Sequence, residues 1–348
     1  MIDKVQQTQT DSLIILKNGK IISELYSQSS ETLYDLKSAT KSIVSLAIGI
    51  LIHDKKIRSI DDLVCQYLPE WRKVKVKNKI SIRDILAHTS GLKAKRTGIE
   101  VEISPDIVQQ ALVAPLIDQP GKHFFYNNKA VNLLPEIIKR VSGKNIELFL
   151  KERLFEPLYI KKYHWKQDQF GNYPGYGALE LSAYSLAKIG QMLLQNGVWN
   201  GKQIIDRSWI DQSMKTGSSL NPSSGLLWWR VLEYNKSQWT PELLSKYRKV
   251  GVSPILISQL EALKGAFVDW RDESSVAKVS PFLEQLHYET ESKHLEGLDL
   301  QSSEGIGYFA NGWLGQTLLV IPQQQLVVIR QSRYQDLGII SLAMQLSL

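Results

Sequence analysis

The two ends of the chain carry the pattern of β-strands, and the long stretch between them carries the pattern of helices. Near the start, residues 12–26 read SLIILKNGKIISELY, two β-rich runs on either side of Asn18 and Gly19. Asn-Gly between such runs is a strong hairpin signal because both residues tolerate positive φ. Near the end, residues 306–331 are again β-rich, with a turn at IPQQQ (321–325). Distant parts of the chain must therefore meet to complete an antiparallel sheet.

The helical signals lie between these ends. From residue 57 to about residue 194, apolar residues recur at helical spacing, with Ser81 as a predicted N-cap. We therefore expect an α/β (α+β) fold: an antiparallel sheet built from both termini and flanked by helices, plus an inserted all-helical domain. The expected boundaries are residues 11–56 and 185–348 for a discontinuous α/β domain and residues 57–184 for a mostly helical domain.

One further stretch fits none of these patterns. Residues from about 235 to 304 are acid-rich and helical in character, and we interpret them as a helical insertion in the α/β domain. A final helix is predicted at LGIISLAMQLSL (337–348). We see no fixed-period repeat, which argues against a solenoid or a propeller.

The composition is that of an ordinary globular protein, with 43% hydrophobic and 22% charged residues. The longest apolar run, residues 43–52, is too short to span a bilayer, so we expect no membrane span. The N-terminal sequence MIDKVQQTQTDS lacks the apolar core of a secretory signal. We expect a cytoplasmic protein if this N-terminus is native, and a periplasmic one if a signal peptide was removed.

Charge and cysteine content narrow the range of partners. The net charge of +7 is modest, and the most basic segment, residues 71–79 (WRKVKVKNK), is interpreted as a solvated strand or loop, so we expect no nucleic acid partner. The single cysteine, Cys65, excludes an internal disulfide and a cysteine-based metal site. The six histidines show no metal-binding spacing, and no glycine-rich phosphate loop occurs. We therefore expect neither a metal nor another cofactor.

Four Ser-x-x-Lys pairs occur in the chain, and only one lies where a β-rich segment changes into a long apolar helix. That pair is Ser38 and Lys41, in the sequence SATK. The other pairs begin at Ser90, Ser185 and Ser275. Ser90 lies at a helix end, and the other two lie on stretches that we interpret as solvated helix.

Ser38 and Lys41 have the chemistry of an activated nucleophile. A serine hydroxyl is a poor nucleophile until a base takes its proton. A lysine can be that base if burial lowers its pKa from about 10.4 toward neutrality. At a helix N-terminus the backbone N–H of Ser38 can stabilise an oxyanion, and Lys41, three residues on, shares its helix face. The alternative interpretation is a lysine whose amine extends along the helix to water.

A second candidate cluster lies in PGKHFFYNN (120–128), between a Pro-Gly turn and a predicted helix. Tyr126 can relay a proton between a serine, a lysine and a leaving group, and the amide of Asn128 can hold a substrate carbonyl. The alternative is that both are packing and capping groups. His88, in the sequence AHTSG, is interpreted as a residue that closes a helix end by hydrogen bonding.

Together these segments resemble the serine β-lactamase and penicillin-binding protein superfamily. The likeness rests on SATK opening a long helix, on ISIRDILAHTSGL (80–92), on PGKHFFYNN followed by AVNLL, and on the block at residues 177–206, in that order. It is to the class C-type branch, which also contains esterases and amide hydrolases.

The resemblance implies a role for each candidate residue. Ser38 matches the nucleophile, Lys41 the base, Tyr126 the second proton-transfer group and Asn128 a substrate-binding asparagine. It also implies acylation through a tetrahedral oxyanion held by the N–H of Ser38 and a strand N–H, followed by attack of water.

The third motif of the family is altered in this chain. The family usually has Lys-Thr-Gly or His-x-Gly on the strand that lines the site, and the matching region here, GYFANGWLGQ (307–316), has neither Lys nor His. We place the motif at Asn311, Gly312 and Trp313 and predict that these residues bind substrate. The glycine still lets the strand approach closely. Because the cation that would hold a carboxylate is missing, a neutral ester or amide is favoured over a β-lactam.

We therefore predict a cofactor-free serine hydrolase, an esterase, amidase or β-lactamase-related enzyme. It would act through an acyl-enzyme on a small-molecule ester or amide, or on a peptide. Two alternatives stay open. One is a penicillin-binding or acyl-binding module with little or no turnover, which the altered third motif favours. The other is an acyltransferase that passes the acyl group to an amine or alcohol instead of water.

Overall fold

The computed structural model describes residues 9–333 of the chain, except residues 96–97, 234, 264–266, 270–274, 276, 282–284, 287–288 and 290–298. The helix predicted at residues 337–348 lies outside the described residues. None of the helices in the described part of the chain combines the length and the apolar character needed to cross a bilayer.

The strands, numbered in chain order, are β1 (Thr10–Lys17), β2 (Lys20–Tyr26), β3 (Tyr34–Asp35), β4 (His164–Trp165), β5 (Leu179–Leu181), β6 (Val198–Trp199), β7 (Lys202–Gln203), β8 (Trp229–Leu232), β9 (Asn235–Gln238), β10 (Phe267–Asp269), β11 (Asp299–Ser302), β12 (Gly305–Gly312), β13 (Gln316–Ile321) and β14 (Leu326–Ser332).

The α-helices are α1 (Thr40–His53), α2 (Ile82–Leu86), α3 (Ile99–Glu102), α4 (Ile107–Val113), α5 (Asn128–Val131), α6 (Leu133–Ser142), α7 (Ile146–Leu150), α8 (Ala183–Leu194), α9 (Arg207–Met214), α10 (Pro241–Lys249) and α11 (Pro254–Glu261). Shorter helical turns of the 3₁₀ or π type lie at Lys37–Ala39, Val64–Gln66, Pro69–Trp71, Lys77–Lys79, Lys151–Phe155 and Pro322–Gln324.

Six strands form one antiparallel sheet in the order β2-β1-β14-β13-β12-β8. The first strand of the chain pairs with the last, so that Leu13 lies opposite Arg330. The β1–β2 hairpin turns at Asn18 and Gly19, whose φ angles are 52° and 75°, as the Asn-Gly signal predicts. The predicted α/β (α+β) class, with an antiparallel sheet built from both termini, is confirmed.

Helix α1 lies at the centre of the molecule. Its residues 40–51 are all buried, and its apolar side chains join one face of the sheet and the helices of the middle segment in one core. Because strand residues alternate between the two faces, Ile14 and Ile329 belong to this core, whereas Leu13 and Val328 belong to a separate core on the opposite face. The start of α1 is therefore fixed by packing on several sides.

The middle of the chain is rich in helices that begin and end at the expected signals. Ser81 caps α2 in a capping box: its hydroxyl accepts from the Asp84 N–H, and the Asp84 carboxylate accepts from the Ser81 N–H. Helix α6 ends at Gly143 in the left-handed conformation, and Ser182 caps α8. A small sheet, β3-β5-β4, which was not predicted, pairs strands of this segment with β3 near the start of the chain.

Three residues that we expected at the surface are buried. Lys77, in the segment interpreted as solvated, is 8% exposed, and its Nζ donates to the Leu112 carbonyl at 2.8 Å. Ser185 and Ser275, interpreted as lying on solvated helices, are 4% and 8% exposed. The Ser185 hydroxyl lies 3.0 Å from that of the N-cap Ser182. The contact of Lys77 joins distant segments, and local polarity does not reveal such a contact.

The residues between β8 and β12 form a separate module. It contains a three-stranded antiparallel sheet in the order β10-β9-β11 and the helices α10 and α11. Its buried apolar residues, among them Trp239, Leu244 and Leu256, form a core of their own. The described residues of the predicted helical insertion at about 235–304 therefore contain three short strands in addition to helices. The strands of the module are three or four residues long, too short for an alternating pattern to show.

The module joins the main sheet through a paired ribbon. Gly305 of β12 lies opposite Leu232 of β8, and Ser302 of β11 lies opposite Asn235 of β9. The chain therefore leaves the sheet and returns to it at neighbouring points. From there β12 runs for 8 residues, about 25 Å at roughly 3.3 Å per residue, and its far end packs against the turn that precedes α1.

Candidate active site

Ser38 lies in the 3₁₀ turn Lys37–Ala39, between β3 and α1. Asp35 stabilises this turn, because its carboxylate accepts the Lys37 N–H at 2.8 Å and pairs with the Lys37 ammonium at 2.7 Å. Within the described part of the chain, the backbone N–H of Ser38 has no hydrogen-bond acceptor. The turn therefore presents a hydroxyl and a free amide hydrogen side by side, as a helix start does.

The Lys41 side chain follows on the first turn of α1 and does not extend to solvent. It is 2% exposed, and its Nζ donates to Ser38 Oγ at 3.0 Å and to the Tyr176 carbonyl at 2.9 Å. Burial lowers the pKa of Lys41, and the nearby Tyr126 phenol opposes that shift only in part. Desolvation disfavours the charged form of an amine, so this lysine releases its proton more readily than one at the surface.

The Tyr126 ring lies against the amine. The Lys41 Nζ is 4.9 Å from the ring centroid, and the Trp229 ring stacks beyond Tyr126 with centroids 6.2 Å apart and an angle of 17° between the planes. The structure thus brings Ser38, Lys41 and Tyr126 to one place, although Tyr126 is far from the other two in the sequence.

A small cleft surrounds these three side chains, with about 270 Å³ of empty space that includes part of its opening to solvent. The other residues that line it are Ser42, His88, Ser224, Leu227, Trp228, Trp229 and Asn311. The wall at Leu227 is fixed by α1, because the Ser42 hydroxyl donates to the Leu227 carbonyl at 2.7 Å and the Ser45 hydroxyl donates to the Leu226 carbonyl at 2.8 Å. Ser42 and Ser224 were not predicted as site residues, since isolated serines carry no recognisable sequence pattern.

Of the three residues assigned to the third motif, only Asn311 is among the described residues that line the cleft. Gly312 lies where β12 meets the turn of Ser38, and a Cβ at this position would lie 2.1 Å from the Leu36 carbonyl oxygen. Trp313 follows the strand, is 65% exposed and is not among the lining residues. In the described part of the chain, the pairing of β12 with β8 ends at Phe309, and the last residues of the strand lie against the turn of Ser38.

The two asparagines after Tyr126 lie in different surroundings. Asn127 is 2% exposed and caps α5: its Oδ1 accepts from the Ala130 N–H, and its Nδ2 donates to the Leu92 carbonyl. Asn128, the predicted substrate-binding residue, is not among the residues that line the cleft. Its Nδ2 lies against Gly98, where a Cβ would be 2.6 Å away. Its binding role stays a prediction.

The side chains that line the cleft carry little charge. Burial and the nearby charge of Lys41 lower the pKa of His88 to about 3, so its imidazole is neutral at physiological pH. At the edge of the cleft, the Lys37 ammonium is paired with Asp35. Among the described residues, no three His, Cys, Asp or Glu side chains come together as metal ligands would.

The model of the beta-lactamase family matches residues 1–226 of this 348-residue chain, which is more than half of it. The chain belongs to the beta-lactamase family, and this confirms the resemblance to serine β-lactamases and penicillin-binding proteins that its motifs suggest.

Relatives known by sequence are distant. A putative D-alanyl-D-alanine carboxypeptidase from Salmonella typhimurium (strain LT2) is 28% identical over 146 residues, which are 38% of this chain and 34% of that protein. The aligned part of the chain spans about a third of the length of the curated relatives it matches.

Solved structures agree with the fold over nearly the whole chain. A putative 6-aminohexanoate-dimer hydrolase from Bacillus anthracis has a TM-score of 0.67 and 16% identity, covering 99% of this chain and 79% of that one. EstCE1, described as a hydrolase with promiscuous acyltransferase activity, has a TM-score of 0.62 and 14% identity, covering 97% and 94%. At such low identities the likeness shows the fold alone.

Proposed function

We propose that this chain is a serine hydrolase that cleaves a neutral ester or amide through an acyl-enzyme on Ser38. The observation that carries the proposal is the buried Lys41 amine, 3.0 Å from the Ser38 hydroxyl. A base within hydrogen-bond reach of a hydroxyl can take its proton during attack on a carbonyl. The names of the relatives, a carboxypeptidase and two hydrolases, are consistent with this chemistry.

We assign a residue to each step. Ser38 Oγ attacks the substrate carbonyl while Lys41 Nζ takes its proton. The N–H of Ser38 and an N–H from the end of β12 hold the oxyanion, which they stabilise more strongly than the neutral carbonyl. The Tyr126 phenol, beside Lys41, passes the proton to the leaving group. Water then attacks the acyl-enzyme, and the same groups move the proton in reverse.

The surroundings of Ser38 favour an uncharged acyl group. In the described residues, the cleft contains no cation free to pair with a substrate carboxylate, since Lys41 is the base, His88 is neutral and Lys37 is paired with Asp35. Aromatic walls and a small volume favour a short or flat acyl group. We assign Asn311 as the amide that contacts the acyl group and Trp313 as a residue at the outer rim.

Acyl transfer is the second candidate function. It is favoured by the likeness in fold to EstCE1, which is described as having promiscuous acyltransferase activity. In this case the acyl-enzyme forms in the same way, and an alcohol or amine replaces water in the second step.

Covalent labelling tests the proposal. The protein is incubated with a fluorophosphonate probe, and its intact mass and the site of modification are measured. We expect one adduct, on Ser38, and rapid hydrolysis of p-nitrophenyl acetate, while Ser38→Ala shows neither. The absence of an adduct would rule out the hydrolase. A long-lived adduct with benzylpenicillin and no ester turnover would indicate an acyl-binding module instead, and faster product release with added alcohols would indicate acyl transfer.

The pH dependence of labelling follows from the lowered pKa of Lys41. The amine can accept the Ser38 proton only when it is deprotonated, so the labelling rate is expected to rise with pH. The rise should level off at a pH below the ordinary lysine value of about 10.4, because burial lowers the pKa. The measurement is the second-order labelling rate from pH 5 to 10. A rate that is flat over this range would argue against a lysine base.

A further inference from the structure

We propose that His88 is a positioning residue that holds the Tyr126 phenol against Lys41 by binding the backbone on both sides of Tyr126. The inference rests on the proposed function, because it assigns His88 an effect that passes through the proton-transfer role of Tyr126. The sequence pattern around His88 indicates only a residue that closes a helix end.

Two hydrogen bonds enclose Tyr126. The Phe125 N–H donates to the His88 carbonyl at 2.8 Å, and the Asn127 N–H donates to His88 Nδ1 at 3.1 Å. The His88 ring also contacts the Tyr126 ring, with centroids 4.6 Å apart, and meets the Phe124 ring edge-on at 5.9 Å. One residue thus binds the N–H groups of the residues on either side of Tyr126 and contacts its ring.

His88 itself is held in an uncommon conformation. Its φ is 58°, in the left-handed region, and the residue is 3% exposed. Residues other than glycine keep such a conformation only when neighbouring contacts fix it. Here the Thr89 N–H donates to the Asp84 carbonyl, and the Gly121 N–H donates to the Thr89 carbonyl. The capped helix α2 is therefore linked through His88 to the segment that carries Tyr126.

The role requires a neutral imidazole. Nδ1 accepts a hydrogen bond from the Asn127 N–H, so the ring proton must be on Nε2. Burial, the larger cause, lowers the pKa of His88 to about 3, so the ring is neutral at physiological pH and the acceptor is kept. The titratable groups that face the ring in the cleft are Lys41 and Tyr126. His88 therefore acts through geometry and does not carry the proton.

Displacement of the phenol has a large effect because proton transfer depends steeply on distance. A shift of about 1 Å in a reacting group can cost roughly 10²-fold in rate. Without the Nδ1 acceptor, the Asn127 N–H loses its partner, and the loop that carries Tyr126 can move relative to Lys41.

Three variants separate the hydrogen bond from the other contributions of His88. Asparagine and glycine both accept positive φ, but only asparagine offers an acceptor near the position of Nδ1. We expect His88→Gly to lower kcat for p-nitrophenyl acetate and the fluorophosphonate labelling rate by roughly 10²-fold, with little change in KM. His88→Asn should restore most of the rate. If His88→Gly does not fold, as judged by thermal unfolding, His88→Phe keeps the ring contacts and removes the acceptor, and it should show the same loss.

The decisive measurement is the same substitution in a Tyr126→Phe background. There the phenol is gone, so His88→Gly should lower the remaining rate by less than about threefold, because residues that act as a unit are not additive. The inference would be overturned if His88→Gly lowered the rate equally in both backgrounds, or if His88→Asn did not restore the rate. Either result would leave the proposed hydrolase function unaffected. Absence of Ser38 labelling in the unmodified protein would instead refute the proposed function, and the inference with it.

Discussion

Lys41→Met is expected to slow acylation of Ser38 by roughly 10³- to 10⁴-fold, near the upper end of what a positioned base contributes, while the protein stays folded. Methionine fills nearly the same volume and has no basic nitrogen. The Lys41 side chain is 2% exposed, so burying its amine carries a desolvation cost. The substitution removes that cost, which offsets the loss of the hydrogen bonds that the amine makes. The Tyr176 carbonyl loses its donor, which costs about 1–3 kcal/mol. Fluorophosphonate labelling followed by mass spectrometry measures the first effect, and calorimetry measures the second.

Lys188→Met is the matched control for this prediction. Lys188 is the lysine of another Ser-x-x-Lys pair, and its Nζ donates to the Tyr159 carbonyl at 2.8 Å. The Ser185 hydroxyl bonds instead with Ser182. Labelling of this variant should match that of the unmodified protein. Labelling of Lys41→Met at the unmodified rate would remove lysine from the mechanism.

Gly312→Ala is expected to damage both stability and activity. Its Cβ would lie 2.1 Å from the Leu36 carbonyl oxygen and 3.0 Å from the Gln316 Cβ, and the Leu36 oxygen cannot move without shifting the turn that carries Ser38. Overpacking of this kind typically costs about 1–3 kcal/mol. Because β12 and the turn of Ser38 must separate, the two amides proposed to hold the oxyanion would also move apart, and loss of one such donor costs about 10²- to 10³-fold in kcat.

Gly177→Ala tests whether the effect comes from the contact and not from a glycine near the site. Its Cβ would have an ordinary contact, with the carbonyl oxygen of Lys37 in the same turn at 3.6 Å. We expect a free energy of unfolding and a kcat close to those of the unmodified protein. The measurements are denaturant unfolding and ester hydrolysis. If Gly312→Ala also has the free energy of unfolding and the kcat of the unmodified protein, the close approach of β12 to the turn has no part in catalysis.

The sequence predicts those parts of the fold and site that depend on short spacings. Asn18 and Gly19 specify their hairpin because a two-residue turn needs positive φ at both positions. Ser38 and Lys41 come together because residues three apart share a helix face. The chemistry of tyrosine made Tyr126 a candidate, but only the resemblance implied that it acts beside Lys41, since nothing in its local sequence says that the two will meet.

Other features depend on long-range contacts that no local pattern records. His88 lies in the cleft because the segment after α2 adopts positive φ and meets the loop of Tyr126. Asn128 and Asn127 are adjacent amides, and the start of α5 decides which of them becomes the cap and which faces Gly98. The strands of the module were missed because β9 is recognisable only beside its partners β10 and β11.

The module between β8 and β12 enters and leaves the sheet at Leu232 and Gly305, which are already paired. A module attached in this way is an insertion between two paired strands. Evolution can lengthen it, replace it or trim it to a tight loop without changing the register of the strands that support it. The candidate active site and the inserted module can therefore change independently of each other.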